Sequence, residues 1–316
     1  MTKQLRPLMI GVVGDSAAGK TTLTRGIAQI LGGDATVVCL DDYHRYDRKE
    51  RKELGITALS PECNYIDIME QHVNLLRLGQ PILKPVYNHS TGTLDRPEYV
   101  APGKLVIVEG LLSLHTPALQ RCFDVTIYLD PDERLRRRWK VARDTHKRGY
   151  KPEEVLAAIE RRMPDSERYI WPQKKAADLI VRFWPPYGYF DENVDNRHLN
   201  VRIFQRHTLP RPDLTAVLDH SHNGRRDAIS LEKDVWSGGQ PVDILDIDGT
   251  ISREKAAELE QVIWEQLHFS DQLHPELLGA FSEGARERHS DPLALTQLLI
   301  VYYLLTVRKH RPVEIT

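Results

Sequence analysis

The sequence is poor in cysteine and lacks a hydrophobic run long enough to cross a membrane. Its 316 residues include three cysteines, Cys39, Cys63 and Cys122, without a CxxC pair or zinc-type spacing. This argues against a disulfide framework and predicts a reducing, cytoplasmic location. The longest apolar run, residues 293–307, is shorter than the ~20 residues that span a bilayer. We therefore expect a buried helix there, no membrane association, and three small buried thiols.

The protein also has almost no net charge. The formal charge is −2 at pH 7, with 43 basic and 45 acidic residues of mixed order, which gives no general attraction to nucleic acid or anionic lipid. Any anion site must therefore depend on a local cluster of basic residues. The N-terminal residues 1–16 contain no small-residue cleavage site, and we interpret their apolar stretch as a first β-strand instead of a signal peptide.

From residue 1 to about 185, short apolar strands alternate with amphipathic stretches. This alternation predicts an α/β fold of three layers, with a largely parallel sheet between helices. Residues 66–80 have apolar positions at helical spacing, and residues 85–103, which contain Tyr, Asn, His, Thr and Pro, are predicted to form a binding loop. The predicted strands are 8–14, 36–42, 104–110, 125–130 and 178–183.

The composition changes near residue 185, where polar, glycine-bearing turns begin to separate the strands. We expect a core at 1–185 and an extension at 186–316 that widens the sheet and adds helices. Antiparallel strands are predicted at 200–207, 227–234 and 242–249, and helices at 253–267 and 291–308.

A phosphate-binding loop follows the first strand. Residues 14–21 fit the pattern GxxxxGK[ST] between an apolar strand and a helix, which is the context that this motif requires. Backbone N–H groups of such a P-loop hold phosphate oxygens, its lysine reaches the β- and γ-phosphates, and its hydroxyl side chain takes Mg²⁺. We therefore predict binding of ATP and Mg²⁺. The expected nucleotide-binding residues are Gly14, Asp15, Ser16, Ala17, Ala18, Gly19, Lys20, Thr21 and Thr22.

Acidic residues end two of the predicted strands. Glu109 follows an apolar strand and is placed to ligate Mg²⁺ together with Thr21, directly or through water. Asp41 and Asp42 follow the second strand, at the edge where open α/β sheets bind ligands. A carboxylate there can accept the proton of an attacking hydroxyl group. The sequence leaves open which of the two neighbours does so.

Six segments in order along the chain resemble the phosphoribulokinase/uridine kinase family, and within it the longer phosphoribulokinases of plants and cyanobacteria. The YNHxTG and DRKxRK patterns favour these over the uridine kinases, which share the P-loop and the RD…RG segment. A weaker resemblance continues through VDILDIDG to the last helix. The six segments are GDSAAGKTT (14–22), CLDDYHRYDRKERKELGITAL (39–59), KPVYNHSTGTLDRP (84–97), VIVEGL (106–111), WKVARDTHKRGY (139–150) and IERRMPD (159–165).

The resemblance implies a reaction and a set of residues for it. The reaction is the ATP-dependent phosphorylation of ribulose 5-phosphate to ribulose 1,5-bisphosphate, with Asp41 as general base and Asp42 as the alternative. The resemblance also implies a homodimer, in which the sheets could join edge to edge. The residues implied to bind the sugar phosphate are His44, Arg48, Tyr87, His89 and Arg148.

Residues 134–149 correspond to the lid of the family and form a basic stretch that is predicted to be mostly helical. The resemblance implies that Lys140 and Arg143 neutralise charge on the transferred phosphoryl group, and that Asp144 orients or assists them. A solvated basic helix is the alternative interpretation. Arg161 and Arg162 also match family arginines, and the resemblance leaves their role open.

The sequence departs from the family in three features, two that matter for regulation and one for the metal. Ala18 stands where plant and cyanobacterial relatives have a P-loop cysteine, and their C-terminal cysteine pair is absent, so a thiol switch is not expected. Leu112 replaces a histidine that usually follows the EGL segment.

Two other functions are compatible with the sequence. One is a uridine kinase-like enzyme, or another sugar-phosphate kinase of the same family. The other is a nucleotide-binding regulator without catalysis, which the intact P-loop lysine and acidic residues disfavour. A DxDGT segment at 246–250 matches the nucleophile motif of haloacid-dehalogenase-like phosphatases. Too few residues follow it for that fold, and we interpret it as a strand that ends in a turn.

Overall fold

The computed structural model describes residues 6–186, 194–222, 227–236, 239–269, 273–284 and 286–310. Its strands are β1 (Leu8–Gly14), β2 (Ala35–Cys39), β3 (Ile82–Asn88), β4 (Thr93–Val100), β5 (Leu105–Gly110), β6 (Val125–Leu129), β7 (Leu179–Trp184), β8 (Asn200–Arg206), β9 (Ile229–Trp236), β10 (Gln240–Ile247), β11 (Ala280–Glu283) and β12 (Arg286–His289). Its α-helices are α1 (Lys20–Leu31), α2 (Arg48–Leu54), α3 (Ile66–Arg77), α4 (Pro117–Cys122), α5 (Glu133–Arg148), α6 (Pro152–Asp165), α7 (Thr215–Ser221), α8 (Arg253–Leu267) and α9 (Asp291–His310).

Eight strands form one central sheet in the order β2-β5-β1-β6-β7-β8-β10-β9. The first five of these pair in parallel, and β8, β10 and β9 continue the sheet in antiparallel orientation. This confirms the predicted fold class and the widening of the sheet by the C-terminal part of the chain. The division into two regions near residue 185 stays a prediction, because one continuous sheet includes strands of both.

The parallel register brings the ends of three strands to one edge. Val13 lies opposite Gly110 in the β1–β5 pair, and Cys39 lies opposite Glu109 in the β2–β5 pair. The segments that follow β1, β2 and β5 therefore begin side by side. The P-loop, the Asp41–Asp42 pair and Glu109 consequently meet at the carboxyl edge of the sheet, as expected for open α/β folds.

Residues 85–103 were predicted to form a loop, and this prediction is wrong. Residues 82–100 form an antiparallel hairpin of β3 and β4, separate from the central sheet. Its turn is closed by Asn88, whose Oδ1 accepts from the amides of Ser90 and Thr91, and by Gly92 at a φ of 84°. Nearly all of β4 is solvent-exposed. Its sequence therefore lacks the apolar alternation by which strands are recognised.

Helix α9 confirms the prediction of a buried C-terminal helix, because most of its side chains are inaccessible to solvent. It packs against α8 and against α1, where a Cβ on Gly26 would come within 2.1 Å of Gln297 Nε2. None of the described helices is long and apolar enough to cross a membrane. The three cysteines are free thiols; Cys63 and Cys122 are buried as predicted, whereas Cys39 is only partly so.

The DxDGT segment is the end of a strand and a turn, as predicted. Ile247 is the last residue of β10, and the Asp248 carboxylate accepts from the Thr250 amide and hydroxyl groups. Asp246 is held by a bidentate ion pair with Arg202 of the neighbouring strand.

Candidate active site

The P-loop joins β1 to α1 through a backbone that is left-handed at two positions. Ala17 has a φ of 67° and Gly19 a φ of 94°; the first is unusual for a residue with a Cβ and costs of the order of 1 kcal/mol or more. A Cβ on Gly14 would lie 2.8 Å from the carbonyl oxygen of Leu129. This close packing confines the position to glycine. Lys20 is buried and donates through Nζ to the carbonyl of Gly14 at 2.9 Å.

Glu109 lies beside the hydroxyl groups of the first turn of α1. Thr21 Oγ1 donates to Glu109 Oε1 at 2.9 Å, and Thr24 Oγ1 lies 3.5 Å from Oε2. Burial raises the pKa of Glu109, while the nearby charge of Lys20 lowers it. A buried carboxylate beside a P-loop hydroxyl is a set of hard oxygen donors. These residues therefore fit the Mg²⁺ ligands that were predicted.

The two neighbouring aspartates differ in their partners. Asp42 forms an ion pair with Lys84 through Oδ2 and accepts from the Tyr87 amide through Oδ1, so both of its oxygens are engaged in holding β3. Asp41 accepts from the Leu111 amide at 2.7 Å through Oδ1. Its Oδ2 receives no hydrogen bond from the described residues, and Asp41 lines the cleft. The packing therefore leaves Asp41 with a carboxylate oxygen for a ligand.

His44 is buried, and its ring orientation follows from Asn64. Asn64 donates through Nδ2 to the carbonyls of Ala58 and Ser60, so its Oδ1 faces His44 Nδ1 at 2.7 Å as an acceptor. Nδ1 therefore carries the proton. Burial and the positive charge of Arg51 lower the pKa of His44 to about 4. The imidazole is then neutral at pH 7, and Nε2 is an acceptor, which does not suit the phosphate contact that the resemblance implied for His44.

Aromatic rings and guanidinium groups form the opposite wall of the cleft. Tyr87 packs edge to face with His44 and with His89, at centroid distances of 4.7 and 5.0 Å. Arg51 lies over the Tyr87 ring and donates to its hydroxyl group at 2.5 Å. Arg48, the first residue of α2, donates to the carbonyl of His89 at 2.6 Å. Helix α2 and the β3–β4 hairpin are thus joined by the residues that line the wall.

Helix α5 contacts the P-loop directly, which contradicts the interpretation of residues 134–149 as a solvated helix. Lys140 Nζ and Arg143 NH2 each lie 3.3 Å from Ser16 Oγ. Arg136 is buried and donates to the Ser16 carbonyl at 3.0 Å, while Glu133 binds its remaining nitrogens. Three cationic side chains of one helix therefore converge on Ser16.

Asp144 holds the cations of α5 together. Lys140, Arg143 and Arg148 lie 3.1, 2.8 and 3.3 Å from its carboxylate oxygens. Burial alone would raise the pKa of Asp144, but Arg143 and the other cations lower it to about 2. Burial, followed by the charge of Arg143, lowers the pKa of Lys140 to about 7. Asp144 is therefore ionised at pH 7, whereas the pKa of Lys140 lies far below that of a free lysine.

One cleft of about 1650 Å³ includes most of the predicted site. Gly14 and Asp15 lie at the base of the P-loop, outside its lining. Arg161 and Arg162 line the cleft, and burial lowers the pKa of Arg162. The predicted residues that the cleft brings together are Ser16, Ala17, Ala18, Gly19, Lys20, Thr21, Thr22, Asp41, His44, Arg48, Tyr87, His89, Glu109, Lys140, Arg143, Asp144 and Arg148.

The sequence analysis missed three groups of lining or bracing residues. Arg51 shares a helix face with Arg48 at i, i+3, which is a signal that could have been used. Arg136 follows Glu133 at the same spacing, and burial of this pair was not evident from the sequence. Part of the lining comes from the C-terminal part of the chain, at Asn196, 281–284, Ser290, Pro292 and Leu293, through contacts that only the folded chain creates.

Leu112, at a position where the resemblance led us to expect a histidine, is buried in a small apolar cluster with Leu59, Leu111 and Ile170. It therefore contributes to packing beneath the cleft.

Comparison with known proteins places these features in a family. The model of the phosphoribulokinase / uridine kinase family matches residues 9–187. A phosphoribulokinase of Synechocystis sp. is 43% identical over 208 residues, which cover 65% of this chain and 62% of that protein. The match therefore spans less than two thirds of that relative. The chloroplastic phosphoribulokinase of Triticum aestivum is 32% identical over 296 residues, which cover 84% of this chain and 72% of that protein.

The fold has a counterpart among solved structures. The phosphoribulokinase from Rhodobacter spheroides aligns with a TM-score of 0.57 at 20% sequence identity, covering 83% of this chain and 95% of that one. At this level of identity the likeness concerns the fold.

Proposed function

The chain belongs to the phosphoribulokinase / uridine kinase family, and we propose that it transfers the γ-phosphoryl group of ATP to the primary hydroxyl group of ribulose 5-phosphate. The observation that carries this proposal is the arrangement of the cleft. A P-loop lies at one end, a carboxylate with an available oxygen lies at the sheet edge, and a cationic wall lies beyond it. The names of the relatives support the choice of acceptor.

In the proposed reaction, Asp41 accepts the proton of the sugar hydroxyl group while the hydroxyl oxygen attacks the γ-phosphorus in line. The hydrogen bond from Leu111 orients the carboxylate without engaging both of its oxygens. Asp42 instead holds Lys84 and the β3 backbone. This difference supports Asp41 over its neighbour as the base.

The P-loop amides and Lys20 would bind the phosphates of ATP, and Lys140 and Arg143 would stabilise the negative charge on the transferred group. Thr21 and Glu109 would hold Mg²⁺, whose charge compensates that of the phosphates when it is bound. Because α5 already contacts Ser16, its cations lie next to the loop. The helix would also restrict access of water, which would compete with the sugar as acceptor.

The cationic wall supports a phosphorylated acceptor over a neutral nucleoside. Arg48, Arg51 and Arg148 line this part of the cleft with His89, and guanidinium groups suit bidentate contact with phosphate. Neutral His44 is better suited to accept a hydrogen bond from a sugar hydroxyl group than to bind phosphate. The acceptor would then be recognised at two points, at its phosphate and along its chain of hydroxyl groups.

A panel of acceptors tests the proposal. ADP release from ATP is measured with ribulose 5-phosphate, other pentose phosphates, uridine and cytidine, and the products are identified. We expect ribulose 5-phosphate to give the highest kcat/KM. A Lys20→Met variant, which lacks the P-loop charge, controls for contaminating kinases and should be inactive with every acceptor.

Two results would overturn the assignment. A preference for uridine or cytidine would favour the nucleoside kinases of the family. ATP binding without transfer to any acceptor would favour a non-catalytic regulator.

The oligomeric state and the division of the chain are part of the same proposal. Strand β9 lies at one end of the sheet and has β10 as its neighbour in the sheet order, so a second copy could continue the sheet there and form a homodimer. We also propose that residues 1–185 form the kinase core and residues 186–316 the extension. Light scattering at several protein concentrations measures the mass in solution directly.

A further inference from the structure

Three side chains that can ligate a metal meet where β12 leads into α9. They are Glu260 of α8, His289 at the end of β12 and Asp291 at the start of α9. One ligand atom from each lies within 4.8 Å of the others. Glu260 is fully buried, and the other two are partly buried. None of the three belongs to the proposed catalytic site.

Hydrogen bonding in this cluster is incomplete. Arg253 NH1 lies 2.6 Å from Asp291 Oδ1 and 3.2 Å from both Glu260 Oε1 and His289 Nε2. A terminal guanidinium nitrogen carries two protons, so it cannot donate to all three atoms. Glu260 Oε2 has no hydrogen-bond partner in the described part of the chain. A fully buried carboxylate oxygen without a donor requires an explanation, such as a bound ion or water.

His289 has the orientation of a metal ligand. Its Nδ1 lies 3.0 Å from the carbonyl oxygen of Leu278, which can only accept, so Nδ1 carries a proton. Nε2 is therefore the nitrogen available to a metal ion, and it lies 2.8 Å from Asp291 Oδ1. Histidines that ligate metals usually donate their other N–H to a carbonyl or carboxylate in this way. Two acceptors at this separation are unfavourable unless a cation or proton lies between them.

We propose that Glu260, His289 and Asp291 bind a divalent transition cation of the Zn²⁺ type, and that Arg253 covers this site when the cation is absent. One imidazole nitrogen and two carboxylate oxygens suit Zn²⁺ better than Mg²⁺, which prefers oxygen ligands alone. Tetrahedral metal–ligand bonds of about 2.0–2.2 Å place neighbouring ligand atoms roughly 3.3–3.6 Å apart, so Nε2 and Oδ1, which lie 2.8 Å apart, would separate slightly on binding. The Arg253 side chain is 48% exposed and contacts the cluster through NH1 alone. It can therefore turn into solvent.

We expect the bound cation to raise the free energy of unfolding and to have no direct part in phosphoryl transfer. Binding would tie α8 to the β12–α9 junction. Ser290, between two of the ligands, donates to the carbonyl of Arg197 and lines the cleft. The site would thus stabilise the C-terminal wall of the cleft without contacting its reacting groups.

Zn²⁺ binding to chelator-treated protein tests the proposal by calorimetry and thermal unfolding. We expect saturable binding and a rise in Tm of about 3–6 °C at roughly 100-fold excess over Kd, with no comparable rise in Mg²⁺. His289→Ala should abolish both effects. The matched control is His220→Ala, because His220 pairs with Glu258 of the same helix α8 at 3.0 Å but lies outside the cluster. This control should bind Zn²⁺ like the unchanged protein.

Arg253→Met tests the proposed competition between Arg253 and the cation. Because this variant lacks the guanidinium group, its affinity for Zn²⁺ should equal or exceed that of the unchanged protein. The proposal is wrong if Zn²⁺ binding is not saturable, if His289→Ala binds as well as the unchanged protein, or if Arg253→Met does not bind. Since a variant could fold poorly, crystals of the unchanged protein soaked in Zn²⁺ give an independent result. An anomalous peak among the three ligands supports the site, and its absence there overturns it.

Discussion

The phosphate-loop end of the cleft is held mainly by backbone geometry, whereas the acceptor end is held by contacts among charged and aromatic side chains. At the first end, consecutive residues adopt a loop whose left-handed positions and close glycine contact define the site. At the second, side chains from α2, β3 and the end of β2 support one another through Arg48, Arg51 and Tyr87. Substitutions at the acceptor end should therefore alter the sugar kinetics and leave ATP binding nearly unchanged.

The largest expected effect is on kcat, and it should distinguish Asp41 from Asp42, which lie between the two ends of the cleft. Asp41→Asn should lower kcat by roughly 10²–10⁴, the usual contribution of a positioned general base, with little change in KM for ATP. Asp42→Asn should act instead through the position of β3, because it breaks the ion pair with Lys84. Steady-state kinetics of both variants measure the difference. A severe Asp42→Asn and a mild Asp41→Asn would reverse the assignment.

The next largest effect concerns the cationic wall. Arg48→Ala and Arg51→Ala should each raise KM for ribulose 5-phosphate by about 10–100-fold, the equivalent of one charge-assisted hydrogen bond, and change kcat much less. Lys49→Ala is the matched control on α2, because Lys49 is exposed and pairs with Glu53. Equal effects on the KM for ATP and for the sugar would break the proposed contrast between the two ends.

A smaller effect is expected from Lys140, which lies between the two ends of the cleft. Its titration should change kcat/KM for ATP by about tenfold per pH unit. Burial and Arg143 lower its pKa to about 7, so its charge is lost as pH rises through that value. Because the charged form is the one that stabilises phosphate, kcat/KM for ATP should fall above about pH 7. Bound phosphate favours the charged form, so the fall in kcat should begin at higher pH.

Lys140→Arg tests this assignment, because arginine stays charged over the whole range. The variant should lose the alkaline fall in kcat/KM. A profile of the unchanged protein that is flat to pH 9, or an identical fall in Lys140→Arg, would show that Lys140 is not the titrating group.

The smallest effect is expected from oxidation. The family resemblance implies a P-loop cysteine where this chain has Ala18, and a disulfide needs two sulfur atoms with suitably placed Cα atoms. Activity after mild oxidant and after dithiol reduction should therefore be nearly equal, and Cys39→Ser should behave in the same way. A large loss that dithiol restores would indicate that another cysteine pair acts as a switch.

Local patterns predicted much of the fold. The strand–P-loop–helix order, the alternation of strands and helices, and the buried run that became α9 all depend on residues close together in sequence. The β3–β4 hairpin was missed because its exposed second strand has little apolar periodicity. Helix α5 was predicted, but its burial against Ser16 was not, because basic residues are usually solvated.

The sequence by itself determined the phosphate loop, the placement of acidic residues after buried strands and the family, since each is encoded by a short segment or by the order of such segments. Tertiary structure alone decided that Asp42 is engaged while Asp41 retains an oxygen, that His44 is neutral, and that Arg51 and Arg136 face the site. The physical reason is that hydrogen-bond partners and desolvation come from residues distant in sequence. Those partners exist only once the sheet, the hairpin and helix α5 have packed together.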